Sequence, residues 1–228
     1  KIRLRWFPKI TMTVLPPRKF AIPEDIRGRE RRQLAGIQLY DVMSDMIFET
    51  GDHRKTLFDA VLDAQDIHGA KQLVAEDIER APLSYARLIL GSLILGRKLA
   101  ALSAKDEIVG LMLPNSVGAV VTFFGLQAFG RAPAMLNFSA GAKNMRSAIT
   151  AAQIKTIFTS RRFVEIAEME EVVAALSEKA SIVYLEDIKA RINIFEKLYG
   201  LMSRPFARRL HAGIGVSPDD PAVVLFTS

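Results

Sequence analysis

The chain of 228 residues contains no cysteine, three histidines and a single tryptophan. The absence of cysteine excludes disulfide bridges, zinc sites built on thiolates and cysteine nucleophiles. The histidines (His53, His68 and His211) share no spacing typical of metal ligands, so we predict no metal site in this chain. A Gly-x-Gly-x-x-Gly motif, a complete phosphate-binding loop and a Gly-x-Ser-x-Gly nucleophile motif are also absent. Local motifs therefore do not indicate the chemistry of this chain.

Charged residues are missing from the 23 positions between Glu107 and Arg131. A stretch of that length can span a bilayer. However, Pro114 removes a backbone donor, and the Asn-Ser pair that follows it would lie near mid-membrane without partners. We therefore predict a buried strand, a turn capped by Ser116, a buried helix that ends at Gly130, and a second strand.

Similar apolar runs extend this pattern along the chain. Strands are predicted near residues 108–113, 132–136, 155–159, 181–185 and 222–227, with a further one at 72–75. Helices are predicted near residues 117–129, 142–152, 163–177 and 192–210. Two further helices are predicted nearer the N-terminus, one capped by Thr56 and one by Ser84. The spacing of the strands suits right-handed crossovers. The predicted fold class is therefore α/β, a parallel sheet with flanking helices.

The N-terminal segment is strongly basic. Residues 1–32 contain ten Lys or Arg and three acids, so their charge is 10 − 3 = +7, while the whole chain carries +6. This favours contact with phosphate, although a solvated basic face is an equal alternative. No nucleic-acid-binding module is recognisable, so we expect an anionic membrane surface as the partner and no nucleic acid.

A short strand is predicted at residues 10–15 and a helix from Pro23 onward. The helix is apolar on nearly every side over residues 34–48. It is therefore expected to pack against an upstream domain or to lie on a membrane surface. The polar segment 49–55 is the predicted linker to a second domain.

Several segments resemble the N-terminal part of the adenylate-forming, AMP-binding acyl-activating enzymes: 108–116, 123–130 and 133–137. The ending, residues 218–228, resembles the strand that leads into the ATP phosphate loop of that family. The resemblance implies ATP and Mg²⁺ as cofactors, and it implies that Thr227 and Ser228 begin the cofactor-binding loop. It assigns no catalytic residue and no metal ligand to this chain.

A finer resemblance is to the family of bifunctional 2-acylglycerophosphoethanolamine acyltransferase/acyl-acyl carrier protein synthetases, carried by residues 133–141, 147–161 and 183–187. The segment around Leu15-Pro16-Pro17 and the Arg-rich helix resembles the end of that family's acyltransferase domain. The implied domains are an acyltransferase tail (1–50) and the N-terminal part of a synthetase (56–228). The implied partners are acyl carrier protein, fatty acid and lysophospholipid, at the cytoplasmic face of the inner membrane.

Both active sites of that family are expected outside this chain. The acyltransferase motif, His with Asp five residues later, is absent, because Phe58, Leu73 and Val216 stand at that distance from the three histidines. We therefore expect an internal fragment that is inactive alone and continues as Gly-Ser-x-Gly-x-Pro-Lys-Gly after Ser228. The alternatives are a stand-alone long-chain fatty acyl-CoA synthetase or a non-catalytic membrane-docking module.

Three polar clusters are predicted to have no functional role. The paired acids Glu76-Asp77 and Asp219-Asp220 are expected to be solvent-exposed turn formers. Ser139-Ala140-Gly141, which follows a predicted strand, is expected to be a plain turn between strand and helix rather than an anion cradle.

Overall fold

The computed structural model describes residues 12–78, 80 and 82–226. The chain forms two compact units, residues 1–55 and residues 56–228. Thr227 and Ser228, the predicted cofactor-binding residues, lie outside the described residues, as do residues 10 and 11 of the first predicted strand.

The first unit consists mainly of helix α1 (Gly28–Thr50), in which no residue is buried. The helix begins five residues later than predicted, because Gly28 adopts a left-handed conformation (φ +60°) that stops the helix from extending upstream. Residues 12–15 have no regular secondary structure, so the strand predicted there is not present in its described part. An ion pair between Arg18 and Asp45 (2.8 Å) fastens the preceding segment to α1.

The second unit is an α/β fold. Its helices are α2 (Leu57–His68), α3 (Tyr85–Ala100), α4 (Val117–Ala128), α5 (Gly141–Ala151), α6 (Arg161–Ile166), α7 (Glu170–Ser177), α8 (Leu185–Ala190), α9 (Ile194–Ser203) and α10 (Ala207–Ile214). Its strands are β1 (Leu73–Ala75), β2 (Leu83–Ser84), β3 (Ile108–Leu111), β4 (Ala132–Met135), β5 (Thr156–Thr159), β6 (Ser181–Tyr184) and β7 (Val224–Leu225). Short 3-10 turns precede α5 (Phe138–Ala140) and α10 (Arg204–Phe206).

The main sheet has five parallel strands in the order β6-β5-β3-β4-β7, and β1 and β2 form a separate antiparallel pair. This arrangement confirms the predicted fold class. The uncharged stretch is β3, a turn and α4, and β4 follows it. Within the described part of the chain, no helix is both long enough and apolar enough to cross a bilayer.

The two faces of the sheet form separate parts of the core, because successive side chains of a strand point to opposite sides. Val109, Leu111 and Phe158 pack with α3, α4 and α8. Met112 and Ile157 pack on the other face with α5, α6 and α7. A third cluster joins α2, α3, α4 and α10 around Phe58, Leu62, Ile89, Leu93, Ala128 and Ala207.

In the second unit, three predicted elements differ from the structure. The helix expected at 163–177 is two helices, because the chain turns at Glu168, which has a positive φ of 51°. The helix expected at 192–210 begins at Ile194 and is interrupted by a 3-10 turn that contains Pro205, a residue that cannot donate a backbone hydrogen bond. The strand expected at 222–227 is confined to Val224–Leu225 among the described residues.

Candidate functional site

The carboxyl ends of β3, β4 and β7 lie side by side. Leu111 of β3 is paired with Met135 of β4, and Met135 is paired with Leu225 of β7. After this edge β3 leads to α4 on one face, whereas β4 leads to α5 on the other. In open α/β sheets, ligands bind where neighbouring strands leave toward opposite faces.

A pocket of about 350 Å³ opens at this edge. Most of its lining is apolar, and the rest is polar. The apolar part consists of Val117, Ala119, Val120, Phe123, Phe124, Ala75 and Met135, and the polar part of Glu76, Asp77, Asn115 and Ser116. An apolar cavity with a few convergent polar groups is the usual form of a small-molecule site. We call it the carboxyl-edge pocket.

The first turn of α4 forms one side of this pocket. Ser116 caps the helix, as predicted, by accepting a hydrogen bond from the Ala119 amide (3.2 Å). The Val117 amide donates to a carboxylate oxygen of Asp77 (3.0 Å), 40 residues earlier in the chain. A carboxylate at a helix N-terminus satisfies an unpaired donor and interacts favourably with the helix dipole.

The Asp77 contact corrects the prediction for the first acid pair, since Asp77 is partly buried and fixes α4 while Glu76 is exposed. The second pair agrees with its prediction. Asp219 and Asp220 are exposed, and Asp220 accepts from the Ser217 amide (2.7 Å) within a turn.

The turn after β4 does not form an anion cradle. Asn137 accepts hydrogen bonds from the amide (3.1 Å) and the hydroxyl (2.7 Å) of Ser139, so both donors are already satisfied. Gly141 then takes a positive φ of 78° where the chain enters α5. Ser139-Ala140-Gly141 is therefore the plain turn that was predicted.

A polar cluster joins the ends of β5 and β6. The Ser160 hydroxyl donates to Glu186 (2.7 Å), and Arg161 makes two hydrogen bonds to Asp187 (2.5 and 2.7 Å). The Arg161 guanidinium also lies 4.4 Å from the centre of the Tyr184 ring.

The protonation of this cluster is shifted toward the charged forms. Partial burial acts to raise the pKa of Glu186, but hydrogen bonds from Ser160 and from backbone amides outweigh it, so the pKa is lowered. The hydrogen bonds from Arg161 lower the pKa of Asp187. The ion pair of Arg161 and Asp187 therefore stays charged near neutral pH and has no proton to exchange. Because it also connects the segments that follow two strands, we interpret the cluster as structural.

His211 is buried and also has a structural role. One ring nitrogen lies 2.9 Å from the Ala128 carbonyl and the other 2.7 Å from the Thr56 hydroxyl, so the ring connects α10 to α4 and to the start of α2. Within residues 12–226, apart from the two omitted positions, no three His, Asp or Glu side chains are grouped to hold a metal ion.

The approach to β7 is fixed by a buried glutamine. The Gln127 amide of α4 donates to the Ala222 carbonyl two residues before β7 begins. Phe226, the last described residue, is one position past the strand. The carboxyl end of β7 therefore lies at the same edge as the carboxyl-edge pocket, beside Met135.

A family model described as AMP-binding enzyme matches residues 66–228 of the chain. Among solved structures, VinN in complex with 3-methylaspartate matches with a TM-score of 0.57 and 20% identity, over 77% of this chain and 44% of that one. The N-terminal domain of FACL13 from Mycobacterium tuberculosis matches with a TM-score of 0.52 and 18% identity, over 60% and 36% of the two chains.

A fatty acyl CoA synthetase from Mycobacterium tuberculosis matches with a TM-score of 0.51 and 18% identity, over 76% of this chain and 32% of that one. At these identities the likeness concerns the fold. The chain spans less than half the length of each of these three solved chains.

Proposed function

The chain belongs to the AMP-binding enzyme family, and we propose that the protein containing it uses ATP to activate a fatty acid for transfer to acyl carrier protein. In the first step a carboxylate oxygen attacks the α-phosphorus of ATP, and pyrophosphate leaves. The carrier-protein thiol then attacks the acyl carbon of the acyl-adenylate, and AMP leaves. In the finer proposal, the free hydroxyl of a lysophospholipid such as 2-acylglycerophosphoethanolamine attacks the carbonyl carbon of this thioester, and the carrier-protein thiol leaves.

The observation that carries the proposal is the position of β7. This strand runs parallel to β4 and ends beside the carboxyl-edge pocket, and the family match extends over the strand to residue 228. We propose that Thr227 and Ser228 begin the segment that holds the ATP phosphates. Hydroxyl groups and backbone amides at such an edge can approach phosphate oxygens closely.

A fatty acid substrate is supported by one structural neighbour, which is named as a fatty acyl CoA synthetase. VinN, crystallised with 3-methylaspartate, supports a small amino acid as the competing candidate. ATP is expected to bring Mg²⁺ with it. The described part of the chain contains no group of three acidic or histidine side chains that could hold such an ion. No step of the proposal therefore depends on a metal ligand of this chain.

For residues 1–50 we propose the end of an acyltransferase domain at the cytoplasmic face of the inner membrane. The support is the +7 charge of residues 1–32 and the exposed apolar residues of α1, among them Tyr40, Ile47 and Phe48. Anionic lipid attracts such a segment by about 1 kcal/mol for each basic residue near the surface. This segment argues against the first alternative, since a stand-alone acyl-CoA synthetase would need no basic, apolar N-terminal segment. ATP-dependent activity would argue against the second alternative, a non-catalytic membrane-docking module.

The test is an ATP–pyrophosphate exchange assay on the protein in full length. Exchange that depends on a long-chain fatty acid, followed by acyl transfer to carrier protein rather than to coenzyme A, is the expected result. Exchange that requires aspartate would contradict the fatty acid assignment, and transfer to coenzyme A alone would contradict the acyl carrier protein assignment. The 228-residue chain alone is expected to show no exchange.

A substitution tests the role of the last residues. Thr227→Ala in the full-length protein should lower fatty-acid-dependent exchange by roughly a hundredfold, the effect typical of removing one well-placed donor to developing charge. Acylation of lysophospholipid from preformed acyl carrier protein thioester should not change. Ser217→Ala, at an exposed turn, is the matched control. Unchanged exchange in Thr227→Ala would refute the assignment, and thermal unfolding of the variant checks that any loss is not caused by damage to the fold.

A further inference from the structure

Helix α9 packs against the domain through its small residues and turns its large apolar residues outward. Gly200 and Ser203 are its buried residues. A Cβ atom at Gly200 would lie 2.3 Å from the Ile94 side chain of α3, which shows how closely the two helices approach. A helix held to a core usually buries its apolar stripe, and here that stripe faces solvent.

The outward stripe continues into the turn before α10. Its members are between 53% and 76% exposed: Ile194, Phe195, Leu198, Leu201, Met202 and Phe206. Residues 194, 198, 201 and 202 follow the spacing that places side chains on one face of a helix. We call this set the α9 surface. Contiguous apolar patches that are rimmed by polar residues mark sites of interaction with proteins or membranes.

The rim of the α9 surface is basic. Arg208 is already paired with Asp63 and Asp66 of α2. Without it, residues 189–210 contain five Lys or Arg and one acid, so their charge is 5 − 1 = +4. That acid, Glu196, forms an ion pair with Lys98 of α3. The neighbouring Arg97 lies 4.3 Å from the centre of the Tyr199 ring, which adds a further cation beside the patch.

We propose that the α9 surface docks on the surface of an anionic lipid bilayer, with α9 lying in the plane of the interface. Phenylalanine, leucine and methionine side chains would enter the headgroup boundary, and the long basic side chains around them would reach the lipid phosphates. A second copy of the chain is a poorer occupant, because two surfaces that each carry +4 repel one another. This surface belongs to the second unit and is distinct from the basic residues 1–32.

The proposal does not depend on the enzymatic activity, so its test needs no ATP. The 228-residue chain is mixed with vesicles of phosphatidylcholine containing about one quarter phosphatidylglycerol and is floated through a density gradient, which separates bound protein from aggregates. The wild-type chain should float with these vesicles and less with pure phosphatidylcholine. Phe195→Ser/Leu198→Ser should lower the partition coefficient by about tenfold or more.

Two further variants make the result specific. Ile78→Ser/Ile166→Ser removes apolar residues that are at least as exposed (96% and 71%) but lie outside the α9 surface, so it should float as the wild type does. Arg27→Gln/Arg29→Gln/Arg31→Gln/Arg32→Gln removes charge from the first unit. Adding Phe195→Ser/Leu198→Ser to it should still cause the tenfold loss, which separates the α9 surface from the membrane contact proposed for residues 1–32.

Several outcomes would overturn the proposal. One is a wild-type chain that does not float. Another is flotation that Phe195→Ser/Leu198→Ser leaves unchanged, or that the control pair lowers equally. If the Phe195/Leu198 variant instead converts an oligomer to a monomer without affecting flotation, the α9 surface is an interface between copies. Thermal unfolding of each variant checks that the fold is retained.

Discussion

Gly96 of α3 lies at the closest approach between α3 and α4. A Cβ atom built there would be 2.3 Å from the Gly125 carbonyl oxygen and 2.7 Å from the Phe129 ring. Carbon atoms normally stay beyond 3 Å from such neighbours, and a backbone carbonyl cannot rotate away as a side chain can. Gly96→Ala therefore forces the two helices apart by roughly 1 Å.

The change in unfolding free energy caused by Gly96→Ala is the sum of two opposing effects. Overpacking of a core costs about 3 kcal/mol when the obstructing atom is backbone, and alanine in place of glycine stabilises a helix by about 1 kcal/mol. The net loss of unfolding free energy is about 2 kcal/mol. For a unit of this size that loss lowers Tm by about 4–8 °C.

The assay is thermal unfolding followed by circular dichroism, with Gly213→Ala as the control. Gly213 is also helical, but a Cβ atom there would meet nothing within 4 Å. That substitution should raise the stability by up to about 1 kcal/mol or leave it unchanged. An unchanged Tm for Gly96→Ala, or an equal fall for Gly213→Ala, would refute the packing of α3 on α4 described above.

Three further outcomes are expected. Asp77→Ala should lower the unfolding free energy by about 1 kcal/mol, because the Val117 amide loses its acceptor, while the exposed Glu76→Ala should change it little; thermal unfolding measures both. Glu186 has a lowered pKa in the folded chain, so its contribution to stability is present above the unfolded carboxyl pKa of about 4.3 and is lost as pH falls through the folded value. The Tm difference between wild type and Glu186→Gln should therefore shrink from pH 5 toward pH 3, and a constant difference would contradict the shift. Finally, because β7 is an edge strand with Leu225 69% exposed, light scattering should find oligomers of the 228-residue chain, whereas a monodisperse monomer would contradict this.

The central part of the fold was predictable because parallel strands are buried on both faces and are therefore continuous apolar runs. Residues 108–111 and 132–135 are such runs, and the polar turn at Pro114 to Ser116 marks the start of the helix between them. The break at Glu168 was not predictable. Nothing in the local sequence requires a left-handed residue there, and glutamate is not a residue that favours that conformation.

The carboxyl-edge pocket was only partly predictable. Its polar residues Asn115 and Ser116 follow a predicted strand, and the rule that ligands bind at the carboxyl ends of parallel strands indicates that position. The contribution of Asp77 was not predictable, because its contact with Val117 joins residues 40 positions apart in the sequence. The same holds for the polar cluster outside the pocket, where Ser160 and Glu186 are 26 positions apart. A pair of acids in a loop has the same composition whether it is solvated or caps a distant helix, so only the tertiary structure distinguishes the two.

The orientation of α9 shows a further limit of periodicity. The spacing of Ile194, Leu198 and Leu201 establishes that they share a face, but it does not establish which face meets the domain. The contacts with α3 make that choice, because Ile94 leaves no room for a Cβ atom at Gly200 and Lys98 pairs with Glu196 one helical turn away. The apolar face is left outward as a consequence of close packing elsewhere. An outward apolar face among basic residues is what the proposed membrane contact requires, and a helix that only meets solvent does not require it.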